Sequence, residues 1–415
     1  MRKTLQAVRL VFKTLLTLLL VVLNLRLYSP GSAAYGPQAL GADVLPQLRF
    51  IKSALENGAG QDAQMLFPEG YFFHHVFYGL AWVEVGMRLP ANDPLRQQAI
   101  QEARWALEKL DSPAGRAPFS PNLQPPYGIF YVGWLNWLRG GIVLLEGPEI
   151  GESDLVRAFQ NDCAQIAQAF QGSPTPFLTS YPGQAWPVDS VVGIAALRLH
   201  DALFPAQYTT TIEDWLTRAN LRLDPETGLL PHRSDPFNGL PLEGARGTSQ
   251  SIIARFALEI DPRWGREQYA RFRQQFFRPL LGVPGVLEYP AGKSGPGDID
   301  SGPLVFGFSA SATVVGMGAA QVQGDVEVAS ALFQATEAVG LPVSTLQTKR
   351  YLFGVLPIGD SFVVWSKTAR PWLVTWQETN LPPMVRWWWQ WPFHLITLVL
   401  LWFAWRRVSD KTPTP

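Results

Sequence analysis

Two stretches of the chain carry acidic side chains where they could transfer protons. The first, TSYPGQAWPVDSVVGIAALRLHD (residues 179–201), brings Asp189 from a loop of prolines and aromatics to the start of an apolar helix. There Asp189 can act simply as a cap, because a side-chain oxygen accepts unpaired backbone N–H groups. The same N–H groups and the helix dipole favour the ionised carboxylate. If Asp189 is catalytic, we therefore expect it to be a base that stays anionic.

The second stretch, SGPGDIDSGPLVFGFSASATVVG (residues 294–316), contains Asp298 and Asp300. Their carboxyls face one side only if the backbone is extended, which the neighbouring glycines and proline permit. Two close carboxyls raise the pKa of one of them, so one of this pair is the candidate acid. Structural turns are the alternative use of these residues. A calcium-binding EF-hand is excluded, because its closing glutamate would fall on Ser309.

Other side chains near these acids complete the candidate site. Tyr71 and Tyr181 are further candidates for proton transfer. The candidates for substrate binding are Trp134, Trp186, Gln184, His75, Asn136 and Glu243. The five histidines include no His-x-x-x-His pair, and the chain has neither a Walker loop nor a Gly-x-Ser-x-Gly elbow. We therefore expect no metal and no other cofactor.

The composition narrows the class of protein. The formal net charge is zero and only 16% of the residues are charged, compared with ~25% in ordinary soluble domains. No basic patch stands out, so nucleic acid is not an expected partner. The single cysteine, Cys163, excludes an intrachain disulfide, and it lies on an apolar helical stripe that predicts a place in the core. Nothing in the sequence indicates the oligomeric state.

Both ends of the chain are apolar. Residues 14–25 follow several basic residues and form either a signal anchor or a signal peptide, since residues 31–34 are small enough for cleavage. Residues 384–407 combine a cluster of four tryptophans at positions 387–391, an apolar span and a terminal arginine pair, which is typical of a transmembrane helix with its basic end in the cytoplasm. The lipid bilayer is therefore an expected partner.

These ends set the predicted domain organisation. We expect a protein of the cytoplasmic (inner) membrane whose globular domain lies on the extracytoplasmic side. Its segments are a signal anchor or signal peptide (1–34), a globular domain (44–371), a linker (372–383), a transmembrane helix (384–407) and a cytoplasmic tail (408–415).

Between the ends, two kinds of helical segment alternate. Amphipathic segments with a charged face cover residues 44–56, 94–110, 153–171, 209–221, 263–277 and 325–339. Segments that are apolar nearly all round cover residues 71–85, 128–146, 189–204, 248–260, 303–321 and 359–368. A helix that is apolar on all sides must be enclosed by others. The alternation predicts an all-α fold, an (α/α)6 toroid of six helical hairpins.

In such a toroid all inner helices point the same way, so the loops that precede them gather on one face. Apart from Trp134 and Asn136, the candidate residues lie in these loops or in the first turns of the helices that follow. A polar cluster at the mouth of an apolar, aromatic-walled cavity is the default binding site. We expect it to bind a small molecule or a glycan.

The order of several segments resembles the linalool dehydratase/isomerase family. These segments are residues 76–81, 130–136, 189–201, 208–228, 261–272 and 297–302. The resemblance implies an α/α six-hairpin barrel outside the cytoplasm and lyase or isomerase chemistry. It places Tyr71 on a catalytic tyrosine of the family. Trp134 stands where the family has a histidine, and Ser180 and Asp189 stand where it has two cysteines, so a monoterpene alcohol is not the expected substrate.

Three functions stay open. The first is a membrane-anchored enzyme with carboxylate-based acid/base chemistry, either a lyase or an isomerase. The second is a hydrolase, lyase or epimerase that acts on glycans, because paired acids and aromatic faces suit sugar rings. The third is a non-catalytic membrane protein that binds an apolar ligand. Acids across an open cleft favour the second function, a closed dry cavity favours an apolar ligand, and acids used only as helix caps favour the third.

Overall fold

The computed structural model describes residues 2–29, 31, 36, 38–147, 153–280 and 282–406. These residues form sixteen α-helices and six short β-strands that pair into three antiparallel two-stranded sheets. The fold is all-α, as the sequence predicts.

The helices follow one another along the chain, and the longest connections are residues 221–246 and 277–309. They are α1 (Arg2–Arg26), α2 (Val44–Glu56), α3 (Ala59–Leu66), α4 (Gly70–Gly86), α5 (Pro94–Leu110), α6 (Pro113–Arg116), α7 (Gly128–Glu146), α8 (Asp154–Gly172), α9 (Pro187–Leu203), α10 (Thr209–Asn220), α11 (Gly247–Ile260), α12 (Pro262–Phe276), α13 (Ala310–Val322), α14 (Val326–Val339), α15 (Pro357–Thr368) and α16 (Trp391–Trp405). The paired strands are β1 (Arg233–Ser234) with β2 (Pro241–Glu243), β3 (Phe277–Leu280) with β4 (Val283–Val286), and β5 (Val343–Ser344) with β6 (Lys349–Arg350).

Six of these helices form a closed inner ring. Helices α4, α7, α9, α11, α13 and α15 each contact the next in this order, and α15 contacts α4. The outer helices pack against them: α5 against α4 and α7, α8 against α7 and α9, α10 against α9, α12 against α11, α14 against α13, and α2 against α15 and α4. The predicted toroid is therefore confirmed.

The burial of the two helix classes explains this arrangement. In α7, every residue except Leu144 and Glu146 is buried. In α5, only the stripe Ala99, Ile100, Ala103, Ala106, Leu107 and Leu110 is buried. A helix with a single apolar stripe can face water, whereas a helix that is apolar all round is stable only when others surround it. The sequence pattern therefore assigns each helix to its layer.

One inner helix is shorter than the sequence predicts. The apolar segment 303–321 becomes helical only at Ala310, where Ser309 accepts a hydrogen bond from the backbone N–H of Ala312 at 3.1 Å. Just before it, Phe306 and Gly307 have positive φ angles of 53° and 84°. This turn pairs Val305 with Phe308 and cannot continue into a helix.

Aromatic side chains fill the middle of the ring. Phe77 stacks on Trp365 with ring centroids 4.3 Å apart, and Trp134 contacts Phe256 at 5.3 Å and Phe73 at 6.0 Å. The aromatic wall predicted from the sequence is therefore a packed aromatic core. It separates the two ends of the ring.

The C-terminal ends of the inner helices form one end of the ring, which we call the floor. Here Glu84 of α4 accepts a hydrogen bond from the Arg255 guanidinium of α11 at 2.5 Å, and both side chains are buried. The same carboxylate accepts a hydrogen bond from Thr368 at 2.7 Å, while the Arg255 guanidinium lies 3.7 Å from the Trp365 ring centroid. This network ties three inner helices together across the ring.

Two apolar helices extend from this body and pair with each other. Within α1, residues Gln6–Arg26 are long and apolar enough to cross a membrane. Helix α7 meets the same criterion, but it is 94% buried as part of the inner ring. Helix α1 packs on α16, where Asn24 donates to Thr397 at 2.6 Å and Trp405 donates to Thr17 at 3.0 Å.

The C-terminal apolar helix is shorter than the predicted span 384–407. It covers only Trp391–Trp405 because the preceding residues pack on the domain. The backbone N–H groups of Met384 and Val385 donate to Glu327, and Trp389 is buried beside Leu27. Most of the predicted cleavage stretch (residues 32–34) and the predicted tail 408–415 lie outside the described residues.

The outer helix α12 depends on a side-chain cap at its N-terminus. Asp261 accepts a hydrogen bond from the backbone N–H of Trp264 at 2.7 Å. We expect Asp261→Ala to lower the free energy of unfolding by about 1 kcal/mol, because that N–H group loses its partner. Urea unfolding of the detergent-solubilised protein measures the change. The control Glu267→Ala removes only an exposed ion pair with Arg263, so a loss as large as that of Asp261→Ala would contradict the capping role.

Candidate functional site

The candidate acids lie at the end of the ring opposite the floor. We call this end the rim and define it as the segments that link each outer helix to the following inner helix. They are residues 57–69, 111–127, 173–186, 221–246, 277–309 and 340–356. Asp189 lies in the first turn of α9, directly after one rim segment, and Asp298 and Asp300 lie in another. The predicted convergence on one end of the ring is thus observed for these three residues.

Asp189 is buried at the top of the aromatic core. Its carboxyl accepts a hydrogen bond from the Ser180 hydroxyl at 2.6 Å. It makes no capping bond, since the N-cap of α9 is Trp186 and the first helical residue is Pro187. Burial raises the pKa of Asp189 to about 7, and the charges of Asp300 and Glu69 act in the same direction.

This pKa corrects the role expected from the sequence. The helix N-terminus predicts a permanently anionic Asp189, but the cost of burying a charge exceeds that effect. The Ser180 hydrogen bond and the nearby Trp134 indole N–H only partly offset the rise in the pKa of Asp189. The indole N–H lies near the carboxyl but does not meet the distance and angle limits of a hydrogen bond. Near neutral pH, Asp189 therefore exists in both protonation states and can donate a proton.

Asp298 and Asp300 differ although they are only two residues apart. Burial alone would raise the pKa of Asp298, but backbone hydrogen bonding from Ser301 and the ion pair with Arg246 at 2.5 Å outweigh it and lower the pKa. The pKa of Asp300 rises to about 6, first because surrounding protein excludes water and then because of the Asp298 and Glu69 charges. The Asp300 side chain nonetheless keeps contact with solvent, so the surrounding protein reduces its hydration without removing it.

Tyr181 connects the loop before α9 to the loop before α4. Its hydroxyl donates a hydrogen bond to Glu69, and its ring packs edge-on against Trp186 at 5.6 Å. Burial, followed by the Glu69 charge, raises the pKa of Tyr181 above its usual value. Tyr181 thus stays protonated, and its electrostatic neighbours also include Asp189 and Asp300.

Two other candidates lie on the far side of α4. The Tyr71 ring packs at a tilt against His75 with ring centroids 4.2 Å apart, and His75 in turn packs on Trp105 of the outer helix α5 at 5.6 Å. The side of α4 that faces the ring interior instead carries Phe73 and Phe77. The structure therefore does not bring Tyr71 or His75 to the acids, because one turn of α4 points them outward.

The remaining candidates are divided between the interior and the rim. Asn136 faces the outer helix α8, where its amide lies 3.1 Å from the Cys163 sulfur. Trp134 belongs to the aromatic core beneath Asp189. Gln184 is exposed in the turn that pairs with Tyr181, and Glu243 forms an ion pair with Arg233 at 3.0 Å. Of this group, Trp134, Trp186, Gln184 and Glu243 lie in or beside the site, whereas Asn136 does not.

The structure adds residues that the sequence did not single out. Glu69 stands at the N-cap of α4 and joins the acidic cluster through Tyr181. Arg246, at the start of α11, donates to Glu288 at 2.8 Å in addition to its pair with Asp298. Only the packing of distant rim segments shows that one arginine pairs with two of these carboxylates.

A buried histidine also lies beside this arginine. The Nδ1 of His232 is 2.6 Å from the Ser249 hydroxyl. Burial, followed by the positive charge of Arg246, lowers the pKa of His232 to about 3. His232 is therefore a neutral group that holds Ser249 in place. Its position in a loop after Pro231 gave no sequence signal for this contact.

A raised pKa does not by itself identify the site. Glu259 and Asp360 both have pKa values of about 7 as a result of burial. However, Glu259 accepts hydrogen bonds from the backbone N–H groups of Trp372 and Leu373, and Asp360 accepts one from that of Tyr351. Asp189 and Asp300 differ from these structural acids, because the charge of Asp300 raises the pKa of Asp189 and the charge of Glu69 raises the pKa of both, at the open end of the ring. Across the described ranges, no three His, Cys, Asp or Glu side chains are grouped to hold a metal ion.

Ser180 offers a direct test of how Asp189 titrates. Its hydroxyl stabilises the ionised carboxylate, so we expect Ser180→Ala to raise the pKa of Asp189 further. If Asp189 donates a proton, the fall of kcat/KM at high pH should shift to higher pH, by as much as about one unit. Ser249→Ala, at the His232 contact, is the matched control and should leave the high-pH fall at the same pH. If the fall also stays at the same pH in Ser180→Ala, Asp189 does not control the pH dependence of the rate.

Comparison with known proteins gives little further definition. No family model matches the chain, and no curated protein matches it. Among solved structures, the chain is similar to "Crystal structure of unsaturated glucuronyl hydrolase specific for heparin", with a TM-score of 0.46 and 11% identity. The match covers 85% of this chain and 95% of that chain. None of these comparisons shows the linalool dehydratase/isomerase family, so that resemblance stays a prediction.

Proposed function

We propose that the protein is a membrane-anchored enzyme that cleaves C–O bonds by acid/base catalysis at the rim. The observation that carries the proposal is the pair formed by Asp189 and Asp300, whose pKa values are raised to about 7 and 6. Two carboxyls in this range can donate and accept protons near neutral pH. The charge of Asp300 raises the pKa of Asp189, and the charge of Glu69 raises the pKa of both.

In this mechanism Asp189 is the acid and Asp300 the base. Asp189 protonates the oxygen that leaves, so the C–O bond breaks without releasing an alkoxide. Asp300 takes a proton from the carbon next to the cleaved bond, and a C=C bond forms. Solvent then returns the proton from Asp300 to Asp189, which restores both groups. Tyr181 and Glu69 hold the two loops together, and the ion pair with Arg246 keeps Asp298 ionised beside Asp300.

A protein with this mechanism is a lyase. It is an isomerase if the group that leaves is water and water then adds back at another carbon. Hydrolysis of a glycan is the second candidate, and the exposure of Asp300 supports it, because solvent can reach the base directly. In that case Asp300 activates water and no C=C bond forms. A purely ligand-binding protein has less support, since Asp189 is not used as a helix cap.

The proposal includes a retained N-terminal anchor. Leu27, just after α1, is fully buried against Ala331, Ala335 and Trp389, and α1 pairs with α16. Removing α1 would expose these contacts. The basic residues in the first half of α1 and Arg406 after α16 favour both termini in the cytoplasm, with the ring on the other side of the membrane.

Labelled water distinguishes the reactions. Membrane-lipid and glycan extracts are incubated with the protein in water enriched in heavy oxygen, and the products are identified by mass spectrometry. Elimination releases an unsaturated product without the label, and isomerisation gives a labelled product with the formula of the substrate. Hydrolysis instead places one labelled oxygen in one of two cleavage fragments. Asp300→Asn should lose most of either activity, and Asp235→Asn in the exposed rim turn is the matched control. Full activity in Asp300→Asn would contradict the proposal.

A further inference from the structure

The exposed apolar side chains of the ring are distributed very unevenly. Among the described residues from α2 to α15, the large hydrophobic side chains that are exposed all lie on the rim, except Val339, which ends an outer helix at the rim. They are Met65, Leu66, Leu221, Phe237, Leu240, Leu242, Ile299, Val305, Phe306, Leu346, Leu352, Phe353, Val355 and Leu356. Several are prominent, such as Phe306 and Val355, each 82% exposed.

The floor has a different surface. In the described parts of the segments that link inner to outer helices (87–93, 147, 153, 204–208, 261 and 323–325), no large hydrophobic side chain is exposed. Single exposed apolar residues are ordinary, but a whole face that collects them marks an interaction surface. The asymmetry therefore indicates that the rim, and not the floor, meets an apolar environment.

The apolar helices of the same chain leave the body beside this face. After α15 the chain starts near the floor, where Trp376 donates to the carbonyl of Gln321 at 3.0 Å. It then passes Glu327 at the start of α14 and reaches Trp388 and Trp389, which lie against Gly282 in the turn between β3 and β4. The segment thus climbs from floor to rim before α16 begins.

The β3–β4 pair is itself anchored to the rim. Ser309, at the N-terminus of α13, donates its backbone N–H to Val286 of β4, and Gly247 of α11 donates to the carbonyl of Glu288 just beyond it. Leu27, at the end of α1, packs on Trp389 and on the second half of α14, which ends at the rim. Both apolar helices therefore join the ring on the rim side.

We infer that the rim rests on the lipid bilayer, with its exposed apolar side chains in the interfacial layer. The site then draws its substrate from the membrane. The part of this inference that concerns the substrate rests on the proposed function, whereas the membrane contact does not depend on it. The substrate class follows from the charges at the site: Glu69, Asp298, Asp300 and Glu288 outnumber Arg246. An acidic headgroup would be repelled, so the geometry points to a neutral lipid with a hydroxyl or sugar headgroup.

The membrane contact can be tested with single labels. The chain's only cysteine, Cys163, is fully buried, so an introduced cysteine provides a selective labelling site. Phe306→Cys and Phe353→Cys place a fluorophore on the rim, while Asn92→Cys and Ala206→Cys place it on the floor. The full-length protein is inserted into phosphatidylcholine nanodiscs that contain lipids with a quencher at the top of the acyl chain, and unmutated protein measures background labelling.

We expect quenching of the two rim labels to exceed that of the floor labels several-fold. Equal quenching at rim and floor, or stronger quenching at the floor, would overturn the inference. Asp189→Asn in the Phe306→Cys background should keep the quenching while turnover is lost. Retained quenching in a protein that turns over no extract would leave the membrane contact intact and count against the proposed function alone. Turnover confined to acidic phospholipids would overturn the headgroup assignment.

Discussion

Replacing Asp189 with asparagine is expected to abolish turnover and at the same time stabilise the fold above neutral pH. Removal of a general acid typically costs 10²–10⁴-fold in rate. Asparagine keeps the shape of the side chain and can still accept the Ser180 hydrogen bond. It removes a charge that the buried position of Asp189 disfavours. The carboxyl proposed for proton transfer therefore lowers the stability of the fold when it is ionised.

The direction of the pH dependence follows from the two pKa values of Asp189. In the unfolded chain the carboxyl has its ordinary value of 3.8, and in the folded protein about 7. Between these values the folded state holds a proton that the unfolded state has released. The Asp189 contribution to stability therefore falls as pH rises from about 4 to about 7, and then stays level. Asp189→Asn removes this loss, which is on the order of 2–4 kcal/mol above pH 7.

Urea unfolding at pH 5 and pH 8, together with product formation, checks both parts of this prediction. Asp298→Asn is the matched control, because the pKa of Asp298 is lowered and its charge stabilises the fold near neutral pH. We expect Asp298→Asn to reduce stability at pH 8, opposite in sign to Asp189→Asn. An Asp189→Asn variant that turns over normally, or that is less stable than wild type at pH 8, would contradict the assignment.

Glu84→Ala is expected to destabilise the ring by about 3–5 kcal/mol, the usual cost of leaving a buried charge without its partner. The Arg255 guanidinium would lose its carboxylate and stay enclosed between α4 and α11. Thr368 and Trp372 would also lose the acceptor of their hydrogen bonds, at 2.7 and 3.3 Å. Such a loss is a large part of the 5–15 kcal/mol that stabilises a typical domain.

Two further variants make this result specific. Asp214→Ala removes a more exposed carboxylate paired with Arg218 at 2.8 Å and should cost less than about 1 kcal/mol. The double variant Glu84→Met with Arg255→Met removes both charges and should recover part of the stability, since no unpaired charge remains. Unfolding midpoints in detergent measure all three. A double variant no more stable than Glu84→Ala would show that lost packing, not the unpaired charge, dominates.

The helix order was predictable because it depends on local pattern. Helix α7 matches its predicted range, 128–146, and α5 matches 94–110. An apolar stripe repeats with the helical period, and an all-apolar segment of that length is typical of a buried helix, so residue type and spacing indicate where the helices form. Within the ring, the one clear misjudgement of a helix boundary is the start of α13, where the positive φ at Phe306 breaks an apolar run that looks helical.

The site was only partly predictable. Asp189, Asp298, Asp300 and Tyr181 were expected together, and the rim brings them together. Tyr71 and His75 were expected with them but face the outer helix α5. On a helix that is apolar all round, the periodicity does not say which side points inward. That choice depends on contacts with helices far along the chain.

The sequence by itself determined the all-α toroid, the apolar ends and the rim segments that carry the acids, because each follows from residue type and local spacing. Tertiary structure alone decided which acid has a pKa suited to a proton donor. The pKa of Asp189 is set by its depth above the aromatic core and by Glu69 and Asp300, which lie more than one hundred residues away on either side. Burial and charge act through space, so no sequence pattern within a single helix could predict their effect on the pKa.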